Sequence, residues 1–256
     1  MNENPYASPE NLDDQPKQPK KPKFSWLNVL MVLGAIMVFF FVFALPARRS
    51  ARSAARRAWC MNNLKQVALA LSNDESTHGS LPPAYTVDSK GKPLHSWRTM
   101  ILPYLDQEEL HKSIDLTKSW DDPVNAKARQ AEVSVYRCPA TDGPMHHTTS
   151  MASIAPEGCF RLKEPRKLAE ITDNHGETIA VIEVASDHAV HWMAPIDAGE
   201  ALVLGRVNEL DKLAHPGGSL AAMVDASVHF LKASMRPADL RALISIGGNE
   251  RFQDFP

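Results

Sequence analysis

Glycine is scarce in this chain, cysteine is scarcer, and the charges nearly cancel. There are 12 glycines in 256 residues, against 19 prolines. That balance excludes a collagen-like chain and suits a loop-rich extracytoplasmic domain. Three cysteines are present, Cys60, Cys138 and Cys159, and none sits in a CxxC or other close metal spacing. A net charge of −2 with a pI near 6.6 does not mark a nucleic-acid binder. No period of 20–50 residues recurs, so repeat architectures are set aside.

What the chain does have is one long apolar run. Trp26–Leu45, WLNVLMVLGAIMVFFFVFAL, carries no charge over twenty residues. As a helix rising about 1.5 Å per residue it spans about 30 Å, the thickness of a bilayer's hydrocarbon. A helix apolar on every side has no cheap place in a soluble domain. The run is too long for a cleaved signal peptide's apolar core, and Leu45-Pro46-Ala47-Arg48-Arg49 is a poor cleavage site. The reading is an uncleaved signal anchor over 24–45, touching membrane lipid. It is preceded by a disordered tail, 1–23, and followed by one domain, 46–256. Lys17, Lys20, Lys21 and Lys23 precede the run; Arg48, Arg49, Arg52, Arg56 and Arg57 follow it. Charge alone slightly favours the domain facing inward.

The downstream pattern mixes helix and strand. Leu64, Val67, Ala68 and Leu71 follow the i, i+3, i+4, i+7 rule, so the membrane helix is expected to continue as an amphipathic helix after a kink or break near Pro46. It should end near 73–79, before an extended Leu81–Tyr85. ETIAVIEVAS (177–186) and HAVHWMAP (188–195) read as strands. SLAAMVDASVHFL (219–231) reads as a hairpin turning at Asp225-Ala226, and 237–244 as a short helix with Pro at its first turn.

Several motifs in this order are family-like. Leu45-Pro46-Ala47 leads through an Ala/Arg stretch to Cys60-x-Asn62-Asn63-Leu64-Lys65-Gln66, then Gly79-Ser80-Leu81-Pro82-Pro83-Ala84. Gly91–Arg98, Ile101–Gln107 and Tyr136-Arg137-Cys138-Pro139 follow. His215-Pro216-Gly217-Gly218 comes late, with Asp225 closing the motif. Over about residues 45–250 the chain resembles the planctomycete DUF1559 family, prepilin-like proteins with an H-X9-DG signature. The resemblance implies an α+β fold: an N-terminal transmembrane helix continuing into a long pilin-like helix, packed on an antiparallel sheet domain with an enlarged C-terminal β portion. It also implies that the domain lies outside the cytoplasm, anchored in the inner membrane. There a disulfide is allowed, and Cys60–Cys138 is the leading pair, with Cys138–Cys159 or free thiols as alternatives.

Two departures stand out. Phe24-Ser25-Trp26-Leu27-Asn28-Val29 occupies the place of the family's prepilin site, without its Gly or its Glu. Ala226 follows Asp225 where the family has Gly; a tight turn should tolerate Ala only at negative φ.

No catalytic constellation emerges. His215 has no nucleophile at a recognisable motif, and Asp225 reads as an Asx turn. His146-His147 and His188-x-x-His191 are weak metal candidates; the latter pair would point to opposite faces of a strand. No metal and no cofactor is expected. Trp97, Trp120 and Trp192 could offer a glycan-stacking surface, although such residues are more often core. The function expected is a structural or interaction protein of the cell envelope, without enzymatic activity, with protein partners or self-association. A binding module for a glycan or protein ligand is the alternative, and an enzyme using His215 and Asp225 a more remote one.

Overall fold

A computed structural model describes residues 25–205 and 211–248, with the side chains of 44–50 set aside. The expected tail, 1–23, and its lysines lie outside the described residues. Two compact units divide the chain at Arg49/Ser50.

The first unit contains the start of helix α1, Trp26–His78. Its window Trp26–Phe43 is long and apolar enough to cross a membrane, and none of it is buried. Phe39, Phe40, Phe41 and Phe43 all expose more than half their surface, a cost in water that lipid removes. The helix bounds show no break at Pro46.

The second unit is α+β. Along α1, Cys60, Asn63, Leu64, Val67, Ala68 and Leu71 are buried, while Asn62, Gln66 and Leu69 are exposed. This is the 3.6-residue stripe read from the sequence. The helix ends one residue before Gly79, whose φ of +75° fits a left-handed helix stop. Small elements follow: β1 (Tyr85–Val87) pairs with β2 (Pro93–Ser96), then α2 (Trp97–Met100), α3 (Glu108–Lys112) and α4 (Ala126–Arg129). Ser96 caps α2 by accepting a hydrogen bond from the Arg98 amide.

The remaining strands are β3 (His147–Thr148), β4 (Ser150–Ala152), β5 (Ile179–Glu183), β6 (Val190–His191), β7 (Gly218–Met223) and β8 (Val228–Lys232). Helices α5 (Glu200–Gly205) and α6 (Pro237–Ile244) complete the unit. An antiparallel sheet in the order β4-β5-β7-β8 forms its centre. Side chains alternate between two cores. Val181, Leu220 and Ala222 join Leu64, Val67 and Leu71 of α1 on one side. Ile182, Ala221 and Met223 join Val203, Leu240 and Leu243 of α5 and α6 on the other. Because helices cover both faces, the apolar stretches Ile179–Ile182 of β5 and Leu220–Met223 of β7 do not alternate with polar residues.

The hairpin and the 237–244 helix stand where the sequence put them. The strand expected at 188–195 shrinks to the two residues of β6, which pair with β3. Ser186–His188 is a 3-10 turn, so the expectation that His188 and His191 project from opposite faces of one strand loses its basis.

Candidate functional site

The residues of the early and late motifs meet in a buried seam. Cys60 on α1 is joined to Cys138 by a disulfide with a Cα–Cα distance of 5.2 Å. The covalent pairing named first from the family resemblance is therefore present, and Cys159 is a free, buried thiol. Burial pushes the Cys159 thiol up to about 12, which leaves it protonated and inert. One turn after Cys60, Asn63 donates through Nδ2 to the carbonyls of Ser134 (3.3 Å) and Arg137 (3.0 Å). It thereby holds the loop that presents Cys138. Lys65 reaches the opposite way and donates to the Ala226 carbonyl at 2.6 Å. Arg57 donates to the Pro216 carbonyl at 3.3 Å and covers the Phe230 ring at 4.1 Å. Asn62 and Gln66 face solvent and Leu64 enters the core, so the motif alternates between pinning, packing and exposure.

His215 completes this seam. Its Nε2 lies 3.7 Å from Cys138 Sγ and 3.3 Å from Glu183 Oε2, and both its side chain and that of Glu183 are buried. The two glycines that follow have separate reasons. Gly217 has a φ of +85°, in the left-handed region. A Cβ on Gly218 would collide with the Leu231 carbonyl of β8 and with the Phe230 ring. This turn therefore brings His215 to the end of β5 with no room for a side chain at Gly218 and with a backbone at Gly217 that glycine adopts at least cost.

Asp225 sits in the β7–β8 turn and accepts a hydrogen bond from the Ser227 amide at 2.7 Å, an Asx-type contact of the kind read from the sequence. Burial opposes ionisation of its carboxyl, but the Ser227 hydrogen bonds and the nearby His229 and Lys65 charges outweigh it, and the pKa is lowered. Ala226 corrects the turn argument: its φ is +65°, so alanine occupies the left-handed conformation where glycine is cheaper.

The tryptophan surface is also corrected. Trp97 and Trp192 are 0% and 1% exposed. Their indole N–H groups donate to Asp197 Oδ1 (2.9 Å) and the Ala131 carbonyl (3.1 Å). Large aromatic surface is worth most when dry, and each N–H has found a partner within the fold, so neither ring offers a face to a glycan. Trp120 is half-buried against His191, with ring centres 5.1 Å apart.

A second polar node, absent from the sequence reading as a site, lies beside Trp97. Arg98 is wholly buried and donates to Asp197 Oδ1 (2.7 Å), to the Ser150 carbonyl (2.9 and 3.0 Å) and to Ser96 Oγ (2.7 Å). The Ala152 amide donates to the same Asp197 oxygen at 2.8 Å. Burial raises the pKa of Asp197, against the lowering effect of Arg98. His191 forms a third feature. It hydrogen-bonds the Arg129 carbonyl through Nε2 and accepts from the Met193 amide at Nδ1. Burial, aided by the nearby His147 and His146 charges, pulls its pKa down to about 4 despite the Arg129 hydrogen bond. Both its nitrogens are spent, so it has no lone pair left for a metal.

Only one group of the described residues gathers metal-type donors: Cys60, Cys138, Glu183 and His215, all buried, with ligand atoms within 4.8 Å of one another. Glu183 and Asp197 were not singled out from the sequence. The one signal for Glu183 is an acid ending an otherwise apolar strand, since unpaired acids are almost never buried.

No curated protein and no solved structure matches the chain. Residues 49–157 match the model of a family described as a protein of unknown function, DUF1559. The matched stretch contains the Cys60 motif and the Cys138 loop, while the His215 turn lies beyond it. The segment 49–157, from the α1 stripe through the disulfide loop, is thus DUF1559 sequence, as the order of its motifs indicated.

Proposed function

We propose that this is a single-pass, membrane-anchored envelope protein whose extracytoplasmic unit acts by protein–protein contact, as a pilin-like structural component without catalysis. The observation that carries the reading is the apolar window Trp26–Phe43 at the start of α1, none of which is buried. Burying about 100–150 Å² of each large side chain in lipid at roughly 25 cal/mol per Å² outweighs any loss of hydration there. The disulfide supports an oxidising compartment for the second unit. The Asn28-Val29 sequence, without the acid of a prepilin site, favours a plain anchor over a processed filament subunit.

Membrane fractionation tests this directly. The chain is expected in inner membranes, resistant to alkaline carbonate and released by detergent. Protease added to spheroplasts should remove the second unit. Recovery in the soluble fraction, or full protection from protease, ends the proposal. Long fibres of the protein in sheared surface fractions would instead make it a filament subunit despite Val29.

A further inference from the structure

We propose that the Cys60–Cys138 pair is exchangeable: once reduced, its two thiolates, His215 Nε2 and a Glu183 carboxylate oxygen hold a zinc-class divalent ion. The four donors come from four separate segments: α1, the loop ending at Cys138, the last residue of β5 and the turn before β7. Their ligand atoms nevertheless lie within 4.8 Å of one another. Tetrahedral Zn²⁺ binds S at about 2.3 Å and N or O at about 2.0–2.2 Å, which places neighbouring donors roughly 3.3–3.8 Å apart. The His215–Glu183 and His215–Cys138 separations, 3.3 and 3.7 Å, already have that spacing. The two bonded sulfurs must part to about 3.7 Å, and the remaining pairs, already within 4.8 Å, must close to the same spacing.

Glu183 gives the second, independent indication. Its Oε2 is buried, stands beside Nε2 of His215 and accepts no hydrogen bond among the described residues. A buried carboxylate oxygen without a donor is destabilising, and a cation in the seam would remove that cost. Soft thiolates with one imidazole and one carboxylate select Zn²⁺ over Mg²⁺ or Ca²⁺. Two thiolates and a carboxylate against a 2+ ion leave one negative charge. The Arg57 guanidinium donates to the carbonyl of Pro216, the residue after His215, and so places a positive charge on that turn.

The disulfide and the ion exclude each other, because bonded sulfurs are not thiolates. Conversion needs a dithiol reductant. One of its thiolates attacks the Cys60–Cys138 bond; its own disulfide forms as that bond breaks, and two electrons and two protons pass to Cys60 and Cys138. Binding of M²⁺ then releases those two protons.

The test uses the full chain in detergent, reduced anaerobically with a phosphine and titrated with Co²⁺. One equivalent per chain should give the intense visible bands of a tetrahedral ion with a thiolate charge-transfer band. Zn²⁺ should abolish both, and the oxidised protein should give neither. Glu183→Gln and His215→Gln should each weaken Co²⁺ binding about tenfold or more, their oxidised forms keeping the wild-type far-ultraviolet dichroism. X-ray absorption on the reduced, zinc-loaded wild type reads the ligand set without mutation: two sulfurs, with imidazole. The proposal is overturned by a pale six-coordinate spectrum or by fewer than two sulfurs. It is equally overturned by undiminished binding in both variants, or by a reduced chain that unfolds and is not restored by zinc.

Discussion

Two buried polar nodes hold the second unit together, and they do so by different physics. At the Arg98–Asp197 node the bonds are charge-assisted and join residues 99 positions apart, with both side chains dry. At the Cys60–Cys138 seam a covalent bond joins positions 78 residues apart, and Asn63 and Lys65, on different faces of α1, fix the loop and the hairpin respectively by donating to their carbonyls. The first node stabilises only if both partners stay, because either ion alone is stranded in a low dielectric. The second acts largely on the unfolded chain, by removing a long loop's freedom. Charge makes a node indispensable; a cross-link makes it strong but graded.

Breaking the charged node is the largest expected effect. Arg98→Met should destabilise by about 3–5 kcal/mol, read as a lower denaturant midpoint, and Asp197→Leu added to it should recover part of the loss. If the double variant is no better than the single one, the stranded-charge account is wrong. The raised pKa of Asp197 sets the sign with pH: the folded state binds its proton more tightly than the unfolded one, so stability attached to this group falls as pH rises from about 4.

Removing the cross-link with Cys60→Ala and Cys138→Ala should cost about 3–4.5 kcal/mol for a loop of 78 residues, measured as a drop in Tm under oxidising conditions. The same pair of changes should erase the difference between reduced and oxidised melting curves. Asn63→Ala, which removes the side-chain donor to the Arg137 carbonyl and leaves the Ser134 carbonyl only the Arg137 amide, should cost about 1–3 kcal/mol.

His191 sharpens the contrast from outside both nodes. Its folded pKa of about 4 lies below the usual histidine value of 6.5, so the native state resists protonation. The stability it contributes is complete above about pH 6.5 and is lost as pH falls toward 4. His191→Gln should flatten melting temperature over that window; an unchanged slope would assign the pH dependence to other groups. The smallest effect is a gain: Ala226→Gly should stabilise by about 0.5–1 kcal/mol by relieving the left-handed alanine, and no gain would mean the hairpin absorbs the strain.

Periodicity made much of this legible. The α1 stripe, the hairpin and α6 each announce themselves within a dozen residues. The 188–195 strand was over-read because an apolar run says nothing about which strand edge is free to receive it; β5 is already paired on both sides, by β4 and β7. The tryptophans misled for a related reason. An aromatic offers the same composition to a ligand or to a core, and only the packing of Phe160 and Tyr136 beside Trp97 and Trp192 decides. Glu183 and Asp197 were hidden because their partners lie far along the chain.

By itself the sequence determined the apolar helix, the helix face that packs and the family of the 49–157 segment, since each rests on local spacing or local order of motifs. It also narrowed the cysteine pairing to a leading choice. Tertiary structure alone decided that Cys138, His215 and Glu183 converge on Cys60, that Arg98 and Asp197 pair in the dark of the core, and that Ala226 turns left-handed. Those facts depend on which segments a four-stranded sheet brings side by side, and distance along the chain carries no record of that.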